Sequence, residues 1–162
     1  MFIDLSIIDV PMKIVYELSK DVTENPQSVV DTHALTLDDS RPQSGLRGRH
    51  GLYASEEWWD SIYQAEMETL YVSGVIVDVY IAGQECSQSN NEFDLLKDDG
   101  SVQSIGIYVN NQEDASLFQV GHRVDVIYAL DELKAQPSNY GGINYLKIVL
   151  EMAVSLKPVG EQ

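Results

Sequence analysis

The stretch 146-LKIVLEMAVSL-156 carries the clearest structural signal in the chain. Apolar side chains occupy every second position from Leu146 to Leu156, which places them on one face of an extended strand. Pro158 follows closely, and proline cannot donate a backbone hydrogen bond to a neighbouring strand. We therefore predict a β-strand that ends before Pro158 and contributes one face to the hydrophobic core.

A second alternating stretch, 72-VSGVIVDVYI-81, lies in the middle of the chain. Its β-branched residues are typical of a strand, and Gly74 near its start would let a long strand bend. Simple alternation places Ile76 on the outward side of this strand. The same alternation directs three side chains into the core, namely Val75, Val77 and Val79.

Three further strands complete the pattern. The turn 97-KDDG-100 ends in an Asp-Gly pair, which suits the positive φ angles of a tight hairpin. A short helical turn is predicted over residues 111–119. The three strands are predicted over residues 93–96, 102–110 and 122–130.

These five strands, in this order and with these connections, resemble the OB-fold, a five-stranded, partly open Greek-key barrel. The phrase 120-VGHRVDVIY-128 is similar to the start of the fourth strand in many such barrels. The resemblance covers about residues 70–157, and the chain as a whole resembles a bacterial family of such small barrels. It implies a mainly β fold, although other small barrels, SH3-like ones included, fit the same strand pattern.

Three regions are predicted along the chain. Residues 1–67 form an N-terminal α/β extension, residues 68–158 form the OB-fold-like barrel, and residues 159–162 form a tail. The extension is expected to pack on the barrel and to cover apolar side chains on its outward side. Its predicted elements are a strand over 12–18, a strand over 33–37, an Arg/Gly-rich loop over 38–51 and a helix over 56–67 that Ser55 caps.

The chain is strongly acidic, with 26 Asp and Glu residues against 10 Lys and Arg residues and a net charge of -16. This charge disfavours binding to nucleic acid and to anionic membranes, because proteins bind phosphate groups through Lys and Arg. No stretch approaches the ~20 apolar residues that span a bilayer. The N-terminus lacks the basic segment of a signal peptide, and Cys86 is the single cysteine, so we expect a cytoplasmic protein without disulfides.

The most distinctive local cluster is basic. Arg41, Arg47 and Arg49 fall within nine residues, and His50 follows directly. On a glycine-rich backbone, their side chains can hold a phosphate or a carboxylate. The alternative is that the arginines pair with the protein's own carboxylates and pin the loop. We take Arg47, Arg49 and His50 as candidate binding residues.

Two tyrosines of the predicted barrel are candidate binding residues as well. In nucleic-acid-binding barrels, aromatic side chains on the second and third strands stack on bases beside basic loops. Here the third strand offers Tyr108, and the loop before the fifth strand offers Tyr140. The alternative is that both tyrosines are structural, because the nearby loops carry mainly acidic residues.

The sequence predicts no catalytic residue, metal site or cofactor. Cys86 has no histidine near it in sequence, and a nucleophile needs a base. The three histidines, His33, His50 and His122, lack the spacing of metal ligands. The best supported function is therefore a non-enzymatic binding module whose partner is another protein or a second copy of the chain. The alternatives are an OB-fold ligand-binding domain for single-stranded nucleic acid or oligosaccharide, and an enzyme that depends on the arginine turn or Cys86.

Overall fold

The computed structural model describes residues 2–82, 90–139 and 141–159. Within these ranges, no helix is long and apolar enough to cross a membrane. The helices and strands follow in the order β1 Met12–Glu17, α1 Leu18–Glu24, α2 Pro26–Leu37, α3 Glu56–Tyr63, β2 Thr69–Tyr80, β3 Glu92–Lys97, β4 Val102–Gly106, β5 Arg123–Glu132 and β6 Tyr145–Ser155. Short 3₁₀ turns cover Leu5–Ile7 and Gln112–Leu117.

The strands form one six-stranded sheet in the order β1-β6-β5-β2-β3-β4. β1 pairs antiparallel with β6, β2 pairs antiparallel with β3, and β3 pairs antiparallel with β4. The predicted mainly β fold is confirmed, and a strand is found at each of the five positions predicted for the barrel. The sixth strand is β1, which the alternation over residues 12–18 also predicts.

The two ends of this strand order are linked by hydrogen bonds to Asn110, which follows β4. The amide of Asn110 donates to the carbonyl oxygen of Val15 at 2.9 Å. The amide of Glu17 donates to Asn110 Oδ1 at 2.7 Å, and Asn110 Nδ2 donates back to the Glu17 carbonyl oxygen at 3.2 Å. The chain segment after β4 is thus tied to β1, which makes the arrangement of strands barrel-like although β4 itself does not pair with β1.

The side-chain alternation of β2 differs from the predicted one. Ile76, predicted to face outward, is fully buried, whereas Val77, predicted to face the core, is 43% exposed. The register between β2 and β3 shifts between Ile76 and Asp78, which places one extra residue in β2. The bulge reverses the alternation only after Ile76, so that Val79 pairs with the buried Phe93 on the core side, and it does not account for the burial of Ile76 itself. Because both sides of this segment carry β-branched residues, their spacing alone does not reveal which side is buried.

Gly74 marks the closest approach of β2 to β3. A Cβ atom at this position would lie 2.3 Å from the carbonyl oxygen of Leu96, which is well inside contact distance. Any larger residue would therefore push the two strands apart at the start of their pairing.

The segment predicted as a strand over 33–37 is the last part of α2. Pro26 occupies the first turn of this helix, where its missing N–H is not needed. Threonine side chains fit the helix because Thr32 Oγ1 donates to the Ser28 carbonyl oxygen at 2.8 Å and Thr36 Oγ1 donates to the Thr32 carbonyl oxygen at 3.0 Å. The strand prediction was wrong because five alternating residues also fit one and a half helical turns.

The helix predicted over 56–67 is confirmed as α3, but it ends at Tyr63. Ser55 caps it as predicted, with Oγ accepting a hydrogen bond from the Trp58 amide at 3.3 Å. Ala65 adopts a positive φ of 62°, which directs the chain out of the helix.

The interior strands β5 and β6 are buried on both faces over most of their length. Every residue from Val124 to Ala129 and from Ile148 to Ser155 is buried. The apolar side chains that alternation places on the outward side of these strands are therefore covered by other parts of the chain, as the sequence predicted. Leu146 and Leu156, predicted to point into the barrel, are 43% and 47% exposed because they lie at the two ends of the alternating run.

The chain divides into two compact units. The first unit comprises Met1–Glu17, Tyr71–Ile127 and Leu150–Gln162, and the second comprises Leu18–Leu70 and Tyr128–Val149. The first unit has a core of aliphatic and aromatic side chains, which includes Ile76, Phe93, Leu95, Phe118, Val124, Val126, Leu150 and Met152. The core of the second unit includes Leu46, Trp58, Ile62, Met67, Ala129 and Val149.

Candidate functional site

The predicted arginine turn lies in the second unit, and its charges are paired internally. Arg47 Nε lies 2.7 Å from Glu132 Oε2, and Arg49 Nη1 lies 3.2 Å from Oε1 of the same carboxylate. The Arg47 amide also donates to the Glu132 carbonyl oxygen at 2.9 Å, and Arg41 Nε lies 3.7 Å from Asp38 Oδ2. This geometry favours the interpretation in which the arginines pin the loop over the one in which they hold an anion.

His50 lies close to a buried carboxylate of the same unit. Asp131 is 1% exposed, and its Oδ2 accepts a hydrogen bond from Trp58 Nε1 at 2.9 Å. Its Oδ1 has no hydrogen-bond partner among the residues that the structure describes. Burial raises the pKa of Asp131, while the hydrogen bond from Trp58 and the proximity of His50 act in the opposite direction. The Trp58–Asp131 bond ties α3 to the end of β5.

We expect Trp58→Phe to lower the free energy of unfolding by about 1–3 kcal/mol, because it leaves the buried Asp131 carboxylate without its indole donor. Chemical denaturation followed by circular dichroism measures the loss. The matched control is Trp59→Phe, since Trp59 is only partly buried and a smaller loss is expected there. Equal losses for the two variants would contradict a structural role for the Trp58–Asp131 hydrogen bond.

The tyrosine candidates have different outcomes. Tyr108 belongs to the first unit, is 42% exposed, and packs edge-on against Tyr16 with the ring centroids 5.2 Å apart. Tyr140 lies outside the described residues, and so does Cys86. Of the predicted binding residues, Arg47, Arg49 and His50 share one unit with the carboxylates described above. In the part of the chain that is described, no group of three His, Cys, Asp or Glu residues is placed to hold a metal ion.

A mixed apolar and acidic surface lies on the solvent side of three strands in the first unit. The other side of these strands is core, where Ile76, Phe93, Leu95 and Ile105 are at most 4% exposed. The solvent side is called the β2–β4 face here. It consists of Val75, Val77, Asp78, Tyr80, Glu92, Asp94, Leu96, Val102 and Ser104.

An aliphatic row crosses the β2–β4 face. Val75 on β2 is the register partner of Leu96 on β3, and Leu96 is the partner of Val102 on β4. Leu96 is 40% exposed, Val102 is 56% exposed, and the adjacent Val77 is 43% exposed. Exposed aliphatic side chains are common singly, but these lie side by side on neighbouring strands and form one continuous patch.

An acidic row lies next to the aliphatic one. Asp78 on β2 is the register partner of Asp94 on β3, and Tyr80 is the partner of Glu92. The Tyr80 hydroxyl lies 2.7 Å from Asp94 Oδ1 and 2.9 Å from Glu92 Oε2, and Ser104 Oγ donates to Asp94 Oδ1 at 2.8 Å. The three acidic side chains therefore share one small area of the sheet.

Hydrogen bonds in this row affect the ionisation of its members. Those from Tyr80 and Ser104 lower the pKa of Asp94, so its carboxyl group is ionised at neutral pH. The bond with Ser104 lowers the pKa of Tyr80, but its bonds to Asp94 and Glu92 prevail and raise that pKa to about 12. At physiological pH the row therefore holds the ionised Asp94 carboxylate beside a neutral Tyr80 phenol.

Comparison with known proteins identifies the family. A family model described as "Immunity protein RhsI2" matches residues 12–155. The match begins at the first residue of β1 and ends at the last residue of β6, so it includes all six strands. The chain belongs to the RhsI2 immunity protein family. Among curated proteins, none matches the chain closely enough to count as a relative.

Membership of the RhsI2 family gives the chain a protein-binding role, since an immunity protein acts on a partner protein. The sequence-based prediction of a protein-binding module is confirmed at this level. The predicted self-association stays a prediction.

Sequence reasoning did not single out the β2–β4 face of this RhsI2-family chain. One signal for it is present in 92-EFDLLK-97, where acidic Glu92 and Asp94 alternate with apolar Phe93 and Leu95. That alternation marks one side of β3 as acidic and solvent-facing. The bulge in β2, which brings further residues to the same side, has no comparable sequence signal.

Proposed function

We propose that this chain neutralises a protein toxin by binding it and covering part of its surface, without catalysing a reaction. The observation that carries the proposal is the family match, which includes every strand of the sheet. Stable protein–protein complexes bury about 800 Å² on each partner, an area that a sheet of this size can supply. We further propose that the chain acts in the cytoplasm, in keeping with its single cysteine.

The charge of the chain supports a basic partner. The first unit carries 14 acidic and 4 basic residues, which gives a formal charge of -10, and the second carries 12 and 6, which gives -6. A surface with this excess of negative charge attracts positive surfaces and repels negative ones, which speeds association with a basic partner and suppresses wrong pairings. We therefore propose that the toxin presents Lys and Arg side chains to this chain.

Co-expression in a bacterial host tests the proposed function. Candidate toxins are the proteins encoded beside the gene for this chain, each expressed from an inducible promoter with and without the chain. We expect the chain to restore growth against its own toxin and to form a complex with a dissociation constant below about 1 μM by calorimetry. Failure to restore growth against any candidate, together with no measurable complex, would rule out the proposal.

Salt dependence and a nucleic-acid control sharpen this test. The association rate with the toxin should fall as ionic strength rises, because screening shortens the reach of charge to about 8 Å at 0.15 M. Labelled random single-stranded DNA should show no polarisation change at that salt, because a chain of net charge -16 repels phosphate. Submicromolar binding to the DNA would favour the nucleic-acid alternative instead.

A further inference from the structure

We propose that the β2–β4 face is the surface on which the toxin docks, and that the matching toxin surface places Lys or Arg side chains around an apolar centre. This inference rests on the proposed function and names the part of the molecule that performs it.

The first argument is the aliphatic row. Protein–protein interfaces have an apolar centre and a polar rim, and their centres are depleted in charge. On the β2–β4 face, Leu96 lies between Val75 and Val102 on the neighbouring strands, and Val77 adjoins them. Val77, Leu96 and Val102 are exposed and Val75 is half-buried, although the strands that carry them have a core on their other side. Exposed apolar area of this kind is stabilised when a partner removes it from water.

The second argument is the repulsion within the acidic row. Asp78 and Asp94 are register partners, and like charges placed directly opposite each other on neighbouring strands are destabilising. Glu92 adds a third carboxylate through the Tyr80 hydroxyl. None of the ion pairs among the described residues involves any of these three carboxylates. A cationic side chain from a partner would relieve this repulsion, so the row is complementary to a basic surface.

The third argument is the contrast with the arginine turn. In the arginine turn, Arg47 and Arg49 already form ion pairs within the chain, because both contact the Glu132 carboxylate. Both cations at that position thus already have an anionic partner. On the β2–β4 face, by contrast, acidic side chains lie beside apolar ones, and no Lys or Arg of the described residues forms an ion pair with them. A partner protein can supply the missing cations and cover the apolar side chains.

Two variants of the face and one control test this assignment. Asp78→Lys/Glu92→Lys reverses two charges of the acidic row, and Leu96→Gln/Val102→Thr makes the aliphatic row polar. The control, Glu24→Lys/Asp39→Lys, applies the same change in net charge at two exposed acidic residues of the second unit. All three are measured against the toxin that the growth assay identifies, by surface-based kinetics at two salt concentrations, after circular dichroism has shown that they are folded.

We expect the charge-reversal variant to bind about 100-fold more weakly, with much of the loss in the association rate. The variant of the aliphatic row should bind about tenfold more weakly through faster dissociation. The control should stay within about threefold of the parent, because its charges lie outside the proposed contact. Face variants that are folded and bind like the parent, or a control that weakens binding as much as they do, would overturn the assignment.

Hydrogen exchange on the unaltered chain gives a second measurement that does not depend on variants folding. Amides of β3 and β4 should exchange more slowly in the toxin complex than in the free chain, and α2 should be unchanged. Protection confined to other segments would also overturn the assignment, while leaving the proposed function intact. If the parent chain binds no toxin at all, the proposed function fails first and this inference fails with it.

Discussion

Leu150→Ala is expected to lower the free energy of unfolding by about 2–5 kcal/mol. Leu150 lies in the middle of β6 and is 1% exposed, and its neighbours on both sides along the strand are buried as well. Removing three carbon atoms there leaves a cavity that a strand held on both edges by β1 and β5 cannot easily close. Urea denaturation measures the change, and the slope of the transition shows whether the compactness of the unfolded state has changed too.

Leu146→Ala is the matched control for this prediction. Leu146 is four residues away on the same strand but is 43% exposed, so its truncation should cost less than about 1 kcal/mol. Similar losses for the two leucines would mean that β6 is not the buried strand described here.

Asp125→Ala is expected to destabilise the protein by about 3 kcal/mol or more, because it breaks a buried charge pair. Asp125 is fully buried on β5, and its carboxylate accepts two hydrogen bonds from the Arg123 guanidinium, at 2.7 Å and 3.0 Å. Ser73 Oγ donates to it at 2.9 Å, and the Tyr71 hydroxyl donates to it too. Without the carboxylate, a partly buried guanidinium and two hydroxyl groups of β2 lose their shared acceptor.

Thermal and urea unfolding of this variant should be compared with that of Asp98→Ala. Asp98 lies in the exposed turn between β3 and β4, so its loss should change stability by no more than about 0.5 kcal/mol. Asp125→Asn should lie between these two, since an amide oxygen still accepts hydrogen bonds but carries no charge. A loss of less than about 1 kcal/mol for Asp125→Ala would show that the Arg123–Asp125 pair is dispensable.

Alternation predicted β1, β2, β5 and β6, because strands that bury one or both faces need apolar residues at defined positions, whereas the Asp-Gly turn predicted β3 and β4. The period-two pattern over residues 146–156 predicted β6, and the weaker pattern over 12–18 predicted β1. Alternation failed for residues 33–37, since five residues are too few to separate a strand from a helix. The hydrogen bonds that tie Asn110 to β1 join residues more than 90 positions apart, and no local sequence pattern predicts such contacts.

The candidate site was harder to predict than the fold. Arg47 and Arg49 stand out in the sequence because basic residues are rare in this chain, but Glu132, the residue that pairs with both, is distant in sequence. The residues of the β2–β4 face do not stand out in the sequence. Only the register between the strands brings them side by side on one surface. A bulge between Ile76 and Asp78 sets that register, and bulges depend on how two strands pair rather than on the residues of one.

The pairing of β1 with β6 bears on how quickly the protein becomes active after synthesis. Met12 pairs with Ser155, 143 positions further along the chain, so β1 cannot pair until the much later β6 has been synthesised. Chains rich in such distant pairings fold slowly, on a scale of about milliseconds to seconds, because long loops must close before their contacts form. Under the proposed function, a cell that begins to make this protein only when the toxin arrives would have no folded inhibitor during that time, whereas a cell that already holds folded molecules would have one.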